Sequence, residues 1–326
     1  MESSRLVTFL SDFGAKSGYA AACELVIYRL TPAARVLNLS HDISPGDVSA
    51  GAWLLRRLLP WGPPATHLAV VDPGVGTTRR ALCLVCSRGD HLVGPDNGLL
   101  VPAADALGGT TMAWALSHER IRELAGIDGD ASHTFHGRDI FAPAVALLLQ
   151  GELPGTLGDP IHPAELVHLE DTVSSTSSAA LCAAVSEVDV FGNVQLSLEW
   201  SRAMCALHLP DDPSSYGTSR GAGDRTVSGP IPSGEVAIPA SAWVQIRAHG
   251  GDYAARQVRT YAELEPGELG LLEDSWGCAA LVMRGQRAAD MLQLSLHDHV
   301  ELSNLPRPGN PVPTPYRAPH GPHEAK

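Results

Sequence analysis

A chain of 326 residues, 44% hydrophobic and 18% charged, is long enough for two domains with separate cores and too apolar for a disordered protein. A net charge of -13, from 23 Lys+Arg against 36 Asp+Glu, argues against a nucleic-acid partner and suits an enzyme with a small ligand. No run reaches the roughly 18 apolar residues of a membrane span and "MESSRLVTFL" lacks a secretion signal, so no membrane partner and a cytoplasmic location are expected.

The first half alternates strand and helix patterns. "RLVTFLSDFG" reads as a strand ending in a polar turn, "AACELVIYRLTP" as a helix stopped before Pro32, and "ARVLNLS" as a second strand. "DVSAGAWLLRRLLP" gives another helix and "THLAVVD" a third strand. This alternation predicts an α/β domain with a largely parallel sheet, whose ligands collect at the carboxyl ends of the strands, where Asp12 and Asp72 fall. "ALCLVCS" continues as strand, placing Cys83 and Cys86 on opposite faces. The six cysteines form no disulfide framework, and Cys83 and Cys86 have no second pair to complete a metal site. "RDIFAPAVALLLQG" reads as the last helix of this half, with Gly151 beyond its end.

The predicted boundaries are 1–169 for the α/β domain, 170–180 for a Ser/Thr-rich linker, 181–302 for a smaller β-barrel-like domain, and 303–326 for a proline-rich disordered tail. The second domain is interrupted by the Gly/Ser/Pro stretch "PDDPSSYGTSRGAGDRTVSGPIPSGE".

"VVDPGVGTTRR" carries the first chemical signal. A Walker loop needs G-x-x-x-x-G-K-[ST], a spacing absent here, and a dinucleotide fingerprint needs a third glycine where Arg79 stands. What remains is a tight turn bringing Asp72 and Arg79 together, as an ordinary ion pair or a functional one. In "HTFHGRDIFAP", Phe135, His136, Arg138 and Asp139 crowd the entry of a helix; Asp139 there also complements the helix dipole. Asp12 in "SDFG" is open to a second reading as a helix cap, and "DFG" lacks the other kinase motifs.

Taken together, "SDFGAKSGY", "HDISPGDVSAGA", "VVDPGVGTTRR", "GPDNGLL", "TFHGRDIFAP", "VDVFGNV" and "TYAELEPGELGLLEDSWG" resemble the S-adenosylmethionine hydroxide adenosyltransferase family, related in fold to fluorinases and chlorinases. The resemblance runs from about residue 6 to 300. It implies cleavage of S-adenosylmethionine by water to adenosine and L-methionine, without a metal or other cofactor, in a homotrimer with active sites between subunits.

Carried over by position, the resemblance implies a catalytic trio of Asp72, Arg79 and His136. Asp12 would accept from the ribose hydroxyls, Phe135 would line the wall near the ribose, and Tyr261 would stack on adenine. Asn193 and Gly285 would meet the base, and Asp189 and Ser275 would hold the methionine ammonium and carboxylate. The chain departs from the family pattern at Ser17, where relatives often have an acid, at Leu196 and Ser197 after the "FGN" strand, and at Arg284 and Gly285 in "VMRGQR".

Full proton transfer from water to a free carboxylate would cost on the order of 16 kcal/mol, so Asp72 alone cannot make free hydroxide. Arg79 and the substrate sulfonium lower that cost, and proton removal can accompany attack. Three other readings are a 5′-halogenating enzyme, a non-catalytic adenosine or S-adenosylmethionine sensor, and a metallohydrolase built on Asp72, His136 and Asp139. A carboxylate at position 72 would repel a halide by several kcal/mol in a dry pocket. Converging acid, arginine and histidine have no purpose in a sensor, and no His-x-x-x-His spacing supports a metal.

Overall fold

The computed structural model describes residues 5–128, 132–170, 174–177, 180–207, 209 and 243–304. The Gly/Ser/Pro stretch and the chain from 305 onward lie outside these residues. The chain separates into two compact units, Met1–Glu170 and Asp171–Lys326.

Unit 1 is built on a seven-stranded sheet. Strands β1 (Leu6–Ser11), β2 (Arg35–Ser40), β3 (Thr66–Val70), β4 (Ala81–Cys86), β5 (His91–Pro95), β6 (Thr110–Leu116) and β7 (Gly158–Ile161) lie in the order β2-β1-β3-β5-β4-β6-β7. The sheet is parallel from β2 to β5, and β4, β6 and β7 extend it antiparallel. Every residue of β3 is buried, Thr66 and His67 as well as Leu68, Ala69 and Val70, as expected of a central parallel strand covered on both faces.

Helices α1 (Tyr19–Leu30), α2 (Val48–Leu58), α3 (Val101–Ala106), α4 (His118–Ala125), α5 (Ala142–Gln150) and α6 (Pro154–Leu157) complete the unit. Successive strand side chains point to opposite faces, so two cores form. Val7, Phe9, Leu68, Val70 and Cys83 pack with Cys23 and Ile27 of α1 and Val145 and Leu148 of α5. Leu10, Ala69, Leu82, Leu84 and Cys86 pack with Leu55 of α2 and Ala103 of α3. Cys83 and Cys86 therefore serve separate cores, and no disulfide joins any of the six cysteines. Burial pushes the Cys23 and Cys83 thiols up to about 12, leaving them as packing groups.

Unit 2 contains β8 (Ser174–Ser177), β9 (Ala180–Val188), β10 (Val194–Glu199), α7 (Trp200–Ala206), β11 (Trp243–Ala248), β12 (Gly251–Gln257), β13 (Leu269–Glu273), β14 (Cys278–Met283), α8 (Ala288–Leu292) and β15 (His299–Asn304). The strand order β10-β14-β13-β12-β11-β15-β9 closes through a β9–β10 pairing into a seven-stranded barrel, with β8 attached to β9. Closure removes the exposed strand edges that short β segments would otherwise leave. Ser174–Ser177, within the Ser/Thr-rich stretch, thus forms a strand, and β15 runs through Asn304. The interior is filled by Val185, Leu196, Ile246, Leu271, Leu281 and Leu302 among others.

Candidate functional site

In unit 1 the polar residues gather after the parallel strands. β3 delivers Asp72 two residues beyond Val70, and the chain turns at once: the Val75 N–H donates to the Asp72 carbonyl at 3.2 Å and the Thr77 N–H to that of Gly74 at 3.1 Å. Gly76 has φ +77°, and a Cβ there would meet the His133 carbonyl oxygen at 2.4 Å. Glycine thus lets the turn lie against the loop that leads to His136.

The turn returns Arg79 onto Asp72. Its Nε donates to Oδ1 at 2.9 Å and Oδ2 at 3.1 Å, and Nη2 also contacts Oδ2. Nη2 donates in addition to Nδ1 of His136 at 2.9 Å, and the guanidinium lies 5.2 Å from the Phe141 ring centre. The Arg79 and Asp72 side chains are only 10% and 5% exposed, so solvent screens this pair little and removing one partner would leave the other charge uncompensated. A guanidinium can only donate, so His136 Nδ1 accepts; the ring is neutral and carries its proton on Nε2. Burial, with the Arg79 charge, pushes the His136 pKa below its ordinary value, against a smaller pull upward from Asp72.

His136 stands at the entry of a π-helical turn, Gly137–Phe141, which runs into α5; Gly151 ends that helix in the left-handed conformation. Such turns recur at functional sites. A Cβ on buried Gly137 would meet the Phe13 ring at 3.0 Å and Cys23 Sγ at 3.3 Å, so this position is packed for glycine. Asp139 belongs to a different network: it pairs with Arg138 at 2.6 Å and accepts from the Ser132 N–H at 2.8 Å.

Asp12 does not cap α1, whose first turn has no side-chain cap. Its Oδ2 accepts from the Gly46 N–H at 2.8 Å. The same two loops are joined by Ser11 Oγ and His41 Nδ1 at 2.7 Å, and by the Ala15 N–H to Asp42 at 2.8 Å. Ser11, His41 and Asp42 thus brace Asp12; their motif was visible in the sequence, but two loops 30 residues apart meet only in the fold. Phe135 packs edge-on against Phe13 and Tyr19, with centroids 5.8 and 5.0 Å away. Ser17 donates to the Gly14 carbonyl at 3.1 Å.

Unit 2 brings three of its expected residues to one cavity of about 540 Å³: Asn193, Tyr261 and Gly285 line it with Phe191, Gln286 and Arg287. Tyr261 is 47% exposed, leaving ring surface for a ligand. Burial, followed by Asp189 and Asp274, pushes its phenol pKa up. Asp189 organises the turn beneath, accepting from Asn193 Nδ2 at 2.8 Å and from the Phe191 and Asn193 N–H groups at 2.9 Å. Ser275 is exposed on the β13–β14 turn, which Asp274 shapes by accepting from the Trp276 and Cys278 N–H groups. Gly285 takes φ +75°, while Arg284 is held by the Leu264 carbonyl at 2.9 Å. Leu196 and Ser197 are buried in the barrel and do not line this cavity. Among the described residues no three His, Cys, Asp or Glu side chains are grouped to hold a metal ion, and no helix is long and apolar enough to cross a membrane.

An acid, an arginine and a neutral imidazole after parallel strands, together with a barrel bearing an aromatic and amide pocket, define a two-unit α/β-plus-barrel enzyme. The chain belongs to the S-adenosylmethionine hydroxide adenosyltransferase family, whose N-terminal domain profile matches residues 7–158 and whose C-terminal profile matches 231–301. It is 38% identical over 297 residues to the (R)-S-adenosyl-L-methionine hydrolase of Salinispora tropica, covering 91% of this chain and 97% of that protein. A fluorinase of an Actinoplanes species is more distant, 23% identical over 214 residues, covering 58% of this chain and 70% of that one. The crystal structure of an uncharacterized conserved protein from Thermotoga maritima superposes with a TM-score of 0.73 at 26% identity, covering 91% and 99% of the two chains.

Proposed function

We propose that this protein hydrolyses S-adenosyl-L-methionine to adenosine and L-methionine by attack of water on the ribose 5′-carbon. The observation that carries this reading is the cluster in which Arg79 bonds both Asp72 and His136, in a chain of this family.

In the reaction a water oxygen forms a bond to C5′ while the C5′–S bond breaks, its electron pair leaving on sulfur as a neutral thioether. The water proton passes to Asp72. His136 uses Nδ1 to accept from Arg79, which leaves Nε2–H to orient the water, and Arg79 balances the charge that develops as the proton moves. Holding the water in line with the breaking bond removes entropy that a free encounter would lose. Asp12 and Phe135 face the ribose in this reading; Tyr261, Asn193 and Gly285 hold the adenine; Asp189 and Ser275 hold the amino-acid end.

The proposal includes a homotrimer with active sites at subunit interfaces, a cytoplasmic location, and no metal or other cofactor. A halide-transfer reading fits less well: position 72 is a carboxylate, and at position 137, where halogenating relatives carry serine, a Cβ would press on the Phe13 ring at 3.0 Å.

Purified, chelator-treated protein incubated with the substrate in oxygen-18 water, with and without chloride, tests the reading. Adenosine labelled at the 5′-hydroxyl is the expected product. A 5′-halogenated nucleoside, metal-dependent turnover, or ligand binding without product would each replace it.

A further inference from the structure

The segment "GPDNGLL" has no part in the chemistry above, yet it reaches both ends of the Asp72–Arg79 turn. It leaves the carboxyl end of β5, the parallel neighbour of β3. Asn97 Nδ2 donates to the Val71 carbonyl at 2.8 Å, fixing the peptide that immediately precedes Asp72. Its Oδ1 accepts from the Leu99 N–H at 3.2 Å, so the amide is oriented from both sides.

At the other end of the turn, the Asp96 N–H donates to the Arg80 carbonyl at 3.0 Å, and this same carbonyl accepts from Arg79 Nη1 at 3.2 Å. The Asp96 carboxylate, 4% exposed, accepts from Arg80 Nε at 2.7 Å and lies 2.6 Å from its Nη2; the other oxygen takes the Val167 N–H at 3.0 Å. One buried corner therefore holds the residue before the acid and the residue after the arginine. An arginine side chain is long and loses rotamer freedom whenever it is held in one pose. Here the Arg80 carbonyl supplies a fixed point that aims Nε and Nη2 at Asp72 and His136.

We infer that Asp96 and Asn97 are positioning residues of the reaction, a bracket that sets the mutual geometry of Asp72, Arg79 and His136. The inference rests on the reading of those three residues as the reacting cluster. Neither bracket residue touches the ring of His136. The charged and titratable groups facing that ring are Arg79 and Asp72 from the turn, Asp139 from its own helix and His118 from α4.

Asn97→Asp is nearly isosteric and keeps an acceptor for the Leu99 N–H, but turns an oxygen towards the Val71 carbonyl where a donor stood. Asn97→Ser, smaller and compatible with the turn, is the second variant should the first not fold. Both are assayed for kcat and KM on S-adenosylmethionine, normalised to folded protein, and the His136 ring is titrated by NMR. The expected result is a kcat lower by about 10- to 100-fold, the scale of small misplacements of reacting groups. KM should stay within about threefold of the native value, and in Asn97→Ser, which adds no charge, the His136 midpoint should move because its two turn-borne neighbours have shifted. A merely structural role predicts a lower melting temperature with native kcat per folded molecule and a native His136 midpoint, and that result overturns the inference. Should the native protein form no adenosine, the functional reading falls and the positioning inference falls with it; native turnover with unchanged kcat and His136 midpoint in Asn97→Ser overturns the inference alone.

Discussion

The acid-bearing turn of unit 1 and the cavity of unit 2 use their polar groups in opposite ways. In the turn, Arg79 bonds both Asp72 and His136 and the turn is braced from behind, so the cluster is held in place by the protein's own bonds. In the cavity, Tyr261 is half exposed, Gly285 offers bare backbone, and the carboxylate of Asp189 is occupied with the turn that carries Asn193. Preassembly suits a task that exists only in the transition state, whereas open surface suits binding that is equal in ground and transition states. Substitutions in the turn should therefore act on kcat and those in the cavity on KM.

The strongest way to break that division is Asp72→Asn. Turnover should drop by ~100-fold or more, the usual scale for losing a proton acceptor, while calorimetry still detects ligand binding. Unchanged turnover would take Asp72 out of the mechanism. On the other side, Tyr261→Ala should weaken binding by ~1–3 kcal/mol through the lost base stack, with little change in kcat. An effect on kcat alone would show that the cavity takes part in the chemistry.

A smaller effect should follow from Gly76→Ala. The added Cβ meets the His133 carbonyl in a left-handed residue, so unfolding in denaturant should report a loss of ~1–2 kcal/mol. Because this contact joins the turn to the loop before His136, kcat should fall with stability; a stability loss alone would mean that the cluster tolerates a shifted turn.

The subtlest prediction concerns pH. His136 has a pKa below its ordinary 6.5, and protonation would place a proton on the nitrogen that accepts from Arg79. Activity should thus persist as pH falls through 6.5 and decline only at lower pH. The linked stability has the same sign: the unfolded state takes up the proton first, so folding weakens as pH drops from 6.5 towards the lowered folded value. Arg79→Ala removes the positive neighbour and should move the acid limb of the residual rate to higher pH. A limb at or above the ordinary histidine value in the native protein would argue that His136 works in another state.

Much of the fold was legible because its signals are local. The burial of β3 and the capping glycine at 151 each follow from a few adjacent residues. The turn between Asp72 and Arg79 was legible for the same reason, since six intervening residues with two glycines leave few conformations. His136 was suspect for its motif, but its bond to Arg79 spans 57 residues and comes from strand order and a π-helical turn that no periodicity announces. For Asp12 the fold removed the helix-cap reading, placing the Gly46 N–H opposite its carboxylate. Asp189 is the reverse case: a resemblance marks it for the ligand, and only coordinates reveal how much of its bonding capacity the turn consumes.

By itself the sequence determined the two-part build, the acid turn and the family resemblance, because apolar periodicity and glycine placement act between near neighbours. Tertiary structure decided which nitrogen of His136 accepts, that Gly137 is packed against Phe13, that β9 meets β10 to close the barrel, and that Asp96 and Asn97 stand behind the turn. Those facts depend on distance and direction between groups far apart in the chain, which are fixed only when the strands take their order and the buried polar groups find partners.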